Sequence, residues 1–261
     1  MIPIRDNIPT SSFPILTLGL IAINTIVWLF YQTPDLEESV RQAGFFPCEI
    51  NGSCAEPEQV PPGLRAGGPV WIVDALTSMF MHGSWIHIIG NMLFLWIFGN
   101  NVEDTLGRAR FVVFYLSSGI AAVALQSYVT LRFGSTVGNV NVDALIPMVG
   151  ASGAIAGVLG AYLVLFPRAR VLTIFFFILI IPVQIPAVFF LGGWFLFQLW
   201  QGGFGLLSAN MSGGGVAFFA HIGGFAFGAL TVKVFGLGRP PTFPRRPKYT
   251  REAPAWPRAE R

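Results

Sequence analysis

The sequence predicts an all-α polytopic membrane protein built from six transmembrane helices. Three observations carry that prediction. Of the 261 residues, 53% are hydrophobic and only 11% are charged, against roughly 25% charged in an ordinary soluble domain. Apolar runs approaching the ~20 residues needed to cross a bilayer recur along the chain. The few Lys and Arg fall lopsidedly around those runs. A soluble single domain is excluded by the scarcity of charge. Collagen-like and disordered classes are excluded by the long apolar runs and an aromatic content of 14%.

Residues 1–12 form a short N-terminal segment. The first span is Phe13–Tyr31, with Thr10, Ser11 and Ser12 as cap candidates. It is too long and too aromatic for a signal h-region, and no small-residue cleavage site follows it. Residues 32–75 form an acidic, turn-rich loop containing Cys48 and Cys54. Those cysteines form a small disulfide in an oxidising compartment or stay free thiols otherwise, and the spacing leaves both readings open. The second span is about Trp85–Asn101, the third about Phe111–Leu131, and the fourth runs from near Met148 to before Pro167.

No Asp, Glu, Lys or Arg lies between Arg170 and Lys233. Within that tract Val171–Ile181 is too short to span and is interrupted by Pro182 and Pro186. It reads as an embedded hairpin or partial helix leading into a fifth span at Ala187–Trp200. Gly202–Gly215 is a Gly-rich loop and Ala217–Phe235 is the sixth span. The membrane domain therefore covers 13–237. Residues 238–261, with six prolines and seven Lys or Arg, read as an unfolded basic tail.

Charge sets the orientation. With a cytoplasmic N-terminus and six spans, 13 of the 16 Lys and Arg lie inside, and only Arg41, Arg65 and Arg132 lie outside. Both termini are then cytoplasmic, and any site at the outer span ends opens to the extracytoplasmic side. The absence of an organelle-targeting leader makes the plasma membrane the expected location. The basic tail is a topology signal or an anionic-lipid contact, not a nucleic-acid site.

Polar side chains inside spans are costly, so they flag function. The three histidines, His82, His87 and His221, all fall at outer span ends, as does Ser152. On the fourth helix Ser152, Ala156 and Gly160 share a face, beside a second small stripe of Gly153, Gly157 and Ala161. On the sixth, His221, Gly224 and Gly228 share a face, and Gly224-x-x-x-Gly228 lets helix backbones approach closely. Packing the Gly224–Gly228 stripe on the Ser152–Ala156–Gly160 stripe would bring hydroxyl and imidazole within hydrogen-bond range. A serine needs such a base, because its own pKa leaves it a weak nucleophile. Packing alone suffices to explain the glycines. His87 and Asn91 lie at i and i+4 and both can donate hydrogen bonds, as an oxyanion hole requires, with the Ser152 N–H as a third donor. His82 either orders the loop or hydrogen-bonds near the site. A metal site on the three histidines lacks any Asp, Glu or Cys partner in the spans, so no metal or other cofactor is expected.

Gly150-Ala151-Ser152-Gly153, Ala220-His221-Ile222-Gly223-Gly224 with Gly228, His82-x4-His87-x3-Asn91 and Phe98-Gly99-Asn100-Asn101-Val102-Glu103-Asp104, in that family's order, resemble the rhomboid intramembrane serine proteases. Ala154 separates the serine motif from the G-x-S-x-G elbow of α/β-hydrolases. The resemblance covers roughly Phe13–Leu237. It implies a six-helix rhomboid-like bundle with Ser152 as nucleophile, His221 as general base, His87 and Asn91 in the oxyanion hole, and His82, Gly150, Gly153, Gly224 and Gly228 in support. It implies no acidic third member, and substrates that are other membrane proteins cut in or near a transmembrane segment of the bilayer. An aromatic that stacks on the histidine in some members is replaced here by Ala156. The fifth span, rich in Phe189, Phe190, Trp194, Phe195 and Phe197, is a candidate lateral gate or ordinary lipid-facing bulk. A non-catalytic relative that binds transmembrane helices in quality control is the alternative class, and a small transporter is disfavoured because no inverted repeat is found.

Overall fold

The computed structural model describes residues 2–54, 71–176, 180–207 and 217–237. The basic tail, the centre of the first loop and most of the Gly-rich loop expected at Gly202–Gly215 lie outside the described residues.

The short N-terminal segment contains a strand, β1 (Ile2–Asp6), that was not assigned from the sequence. Helix α1 (Ile15–Ile26) follows and continues as a π-helical turn to Gln32. The cap expectation fails here, because Ser11 and Ser12 do not cap α1. Both instead donate to the Asp104 carboxylate. The open amides of the first turn are satisfied from another helix: Glu103 accepts from Leu16 N at 3.1 Å, Thr17 N at 2.7 Å and Thr17 Oγ1 at 2.8 Å.

The first loop carries α2 (Leu36–Ala43), capped by Asp35, and α3 (Trp71–Thr77). Cys48 and Cys54 are joined by a disulfide, and Phe46, Cys48 and Ala144 pack as a small core beneath it. The second span is α4 (Trp85–Phe94), a π-helical turn Leu95–Gly99, and α5 (Asn100–Leu106). Then come α6 (Arg108–Phe133), a short hairpin of β2 (Thr136–Val137) and β3 (Val140–Asn141), and α7 (Ser152–Leu165).

The all-α expectation needs correction at the next segment. β4 (Arg170–Phe176) and β5 (Ile180–Pro186) form an antiparallel hairpin, and β1 pairs with β4 to give the order β1-β4-β5. The β-branched content of this stretch favours strands. Pro182 and Pro186 bar a helix interior but are tolerated on β5, an edge strand. The last two helices among the described residues are α8 (Ala187–Leu207) and α9 (Phe218–Phe235).

Among the described residues, three helical stretches are long and apolar enough to cross a membrane: Ile15–Gln32, Arg108–Phe133 and Phe218–Phe235. Trp71–Phe80 and Trp85–Leu106, bent by 86°, make a fourth if taken as one span. At 14 residues α7 is about 21 Å long, short of the ~30 Å hydrocarbon core. It is nonetheless the centre of the bundle, buried from Gly153 to Tyr162 and packed most closely on α9, then on α6. Phe98, Tyr162 and Phe190 form the aromatic heart of the core.

The Phe98–Asp104 stretch ties the N-terminus to this bundle. Asn101 Nδ2 donates to Asp6 at 2.6 Å, Tyr162 Oη donates to the same Asp6 oxygen at 2.5 Å, and Glu103 and Asp104 hold residues 11–17.

Candidate active site

Small residues bring α7 and α9 together. A Cβ at Gly224 would overlap the Gly153 carbonyl oxygen, and one at Gly228 the Gly157 carbonyl oxygen. The α9 stripe thus rides on Gly153 and Gly157 rather than on the expected Ser152–Ala156–Gly160 face, of which Gly160 meets α9 at Phe225. This contact sets the depth of His221 against Ser152. His221 Nε2 lies 2.9 Å from Ser152 Oγ. Both side chains are half-buried. The start of α9 is held from α6, where Gln126 Oε1 accepts from Ala220 N at 3.2 Å.

Ser152 is the first residue of α7, so its amide belongs to the first turn, which has no intrahelical acceptors. The turn before it is pinned by the first loop. Phe45 and Met148 exchange two backbone hydrogen bonds, and Gly150 N donates to Ser78 O at 2.9 Å. Gly150 has φ +126°, and a Cβ there would meet the His87 ring at 2.7 Å, so a glycine serves both the backbone and the space.

That contact places the His87 imidazole over the serine turn. α4 starts at the cap Ser84, whose Oγ accepts from His87 N at 3.2 Å. One helical turn on, Asn91 is buried and its Nδ2 has no hydrogen-bond partner. A buried donor left unpaired is costly in a finished fold and is usable by a ligand oxygen. His82 is fully buried with its ring against His87 at 5.1 Å, neither ring nitrogen partnered. Its backbone is clamped by Gln32, which donates to His82 O and accepts from His82 N, each at 2.8 Å.

Two residues of α8 reach the site that the sequence did not single out for it. Gln198, 5% exposed, has Oε1 2.8 Å from His221 Nδ1, and Trp194 lies against the His221 ring at 5.7 Å. Their i, i+4 spacing, with a glutamine in an otherwise apolar stretch of α8, was the available signal. The other aromatics of α8 divide: Phe190 is core, while Phe189 and Phe197 are exposed.

An apolar helical bundle that encloses a serine–histidine pair, with a buried spare donor one turn beyond His87, defines a membrane-embedded protein with a polar internal site. Residues 70–237 match the Rhomboid domain, and the chain belongs to the rhomboid family. It is 30% identical over 157 residues to presenilin-associated rhomboid-like protein, mitochondrial, of Homo sapiens, covering 60% of this chain and 34% of that one. It is 31% identical over 159 residues to rhomboid protein 1, mitochondrial, of Saccharomyces cerevisiae, covering 60% and 40%. It is 29% identical over 208 residues to rhomboid protease GluP of Bacillus subtilis, covering 77% and 34%. The matched region thus spans 34–40% of these relatives' own length.

The plasma-membrane expectation is corrected by these similarities, since the human and yeast relatives are mitochondrial proteins by name. It rested on a missing leader, which carries no address when so little of the relatives' length is matched.

Proposed function

We propose that this chain is an intramembrane serine endopeptidase that cleaves transmembrane segments of other membrane proteins in the bilayer. The 2.9 Å approach of Ser152 Oγ to His221 Nε2 is the observation that carries the reading. His221 accepts the Ser152 proton as Oγ attacks the peptide carbonyl carbon. The tetrahedral oxyanion takes hydrogen bonds from His87, Asn91 and the Ser152 N–H. Its collapse breaks the C–N bond, and His221 returns the proton to the leaving amine. Water, activated by His221, then hydrolyses the acyl-enzyme ester. A helical substrate hides its carbonyls in internal hydrogen bonds and must unwind first.

The domain we assign to this activity is 13–237, with 1–12 and 238–261 as flanking segments and six helical passages: the four candidates by length, α7 and α8. The short α7 supports a site inside the membrane. If its C-terminal end reaches one face, Ser152 starts about 9 Å below the other.

The test is cleavage of a transmembrane substrate in proteoliposomes by wild type and Ser152→Ala. Cleavage lost in the variant is expected, and equal cleavage by both overturns the reading. Fluorophosphonate labelling is expected for wild type and absent in His221→Ala. A wild type that binds transmembrane helices yet neither labels nor cleaves would be a non-catalytic helix binder.

A further inference from the structure

We propose that Gln198 is a positioning residue: its side-chain carbonyl accepts the Nδ1–H of His221 and so leaves Nε2 unprotonated toward Ser152. This rests on the protease reading of the same site. An imidazole can serve Ser152 as a base only in one of its two neutral tautomers, and the hydrogen bond at the other nitrogen selects it. At His221 the Nδ1 partner is Gln198 Oε1 at 2.8 Å, while Nε2 faces Ser152 Oγ at 2.9 Å. A carbonyl oxygen only accepts, so Gln198, with its Oε1 toward the ring, assigns the proton to Nδ1.

The choice of residue follows from the surroundings. The spans offer no carboxylate near His221, and Gln198 is 5% exposed in an apolar helix. A buried neutral amide is far less costly than a buried carboxylate and still accepts one hydrogen bond. Trp194, one turn before Gln198 on the same face of α8, contacts the same ring. Ala156 on α7 offers no aromatic support. The base is therefore oriented from α8, the serine from α7, and the imidazole itself stands on α9. Any displacement of α8 would release the Nδ1 hydrogen bond and let the imidazole rotate or change tautomer.

The experiment uses the full chain in detergent micelles or proteoliposomes. Imidazole ¹⁵N NMR, with His82 and His87 replaced in turn for assignment, reads the tautomer of His221. Wild type is expected to carry the proton on Nδ1; a proton on Nε2 at neutral pH overturns the proposal without any variant. For Gln198→Leu, kcat on a transmembrane substrate and the fluorophosphonate labelling rate are expected to fall about 10- to 100-fold, the effect of leaving a buried donor unpaired. KM is expected to change less than about twofold. Gln198→Glu, which keeps an acceptor at the same reach, is expected to recover labelling to within about tenfold of wild type. Gln198→Leu labelled at the wild-type rate, or Gln198→Glu as impaired as Gln198→Leu, overturns the proposal. If wild type is never labelled, the protease reading falls, while the tautomer measurement still decides whether Gln198 sets the proton.

Discussion

Gly228 of α9 lies directly against Gly157 of α7, so close that any side chain at 228 would overlap the Gly157 carbonyl. Because His221 stands two turns before Gly228 on the same helix, this contact sets the spacing of the serine and the imidazole. Gly228→Leu is expected to push α9 outward, destabilise the fold by about 1–3 kcal/mol and lose cleavage by much more than that loss of folded protein accounts for. Thermal unfolding and activity of the folded fraction, measured together, check this. Unchanged specific activity would mean that the contact does not position the pair.

Asn91 presents a buried Nδ2 with no partner. If that donor is reserved for an oxyanion, Asn91→Ala is expected to lower kcat about 10²- to 10³-fold. The fold should lose less than about 1 kcal/mol, because no hydrogen bond is broken. A large stability loss with little change in kcat would assign Asn91 to packing instead.

Glu103 is 2% exposed and caps α1 from a different helix, taking three hydrogen bonds from Leu16 and Thr17. Glu103→Ala leaves buried amides unpaired and is expected to destabilise by about 1–3 kcal/mol. Glu103→Gln, which retains one acceptor, is expected to fall between. Proteolysis near residues 11–17 should increase in the same order.

In the first loop, burial and then the neighbouring Asp74 charge hold the Glu49 carboxyl up at about 7, against an ordinary 4.5, despite the hydrogen bond from Phe46 N. The unfolded chain releases this proton near 4.5 and the folded chain keeps it to about 7. Stability from this group is therefore full below 4.5 and is lost as pH rises to about 7. Glu49→Gln, which does not titrate, is expected to gain thermal stability relative to wild type as pH is raised from about 5 to about 7.5. A stability difference independent of pH would refute the assignment.

Much of the candidate site's geometry was legible in the residues. The i+4 and i+8 stripes on α7 and the Gly224-x-x-x-Gly228 pattern foretold two helices in close contact, and the lone histidines and Ser152 marked the polar positions. The hairpin β4–β5 was half legible: the prolines ruled out a full span and left a hairpin or a partial helix open, but the pairing with β1 joins residues more than 160 apart and leaves no local periodicity. The cap of α1 was misread for the same reason. Ser11 and Ser12 are good local cap candidates, yet Glu103, which lies 86 residues beyond Thr17, reaches the open amides first.

Residue order alone dictated the apolar helices, their small-residue faces and the short list of polar groups they carry, because these depend on spacing along one helix or on local charge. The disulfide between Cys48 and Cys54 was open until the loop's path was known. The pairing of Gln198 with His221, the pinning of the serine turn by Phe45 and Ser78, and the stripe of α7 that receives α9 came from packing. The physical reason is that a hydrogen bond or backbone contact between distant segments is set by where the helices pack, and helix packing is a property of the whole bundle rather than of any window of the chain.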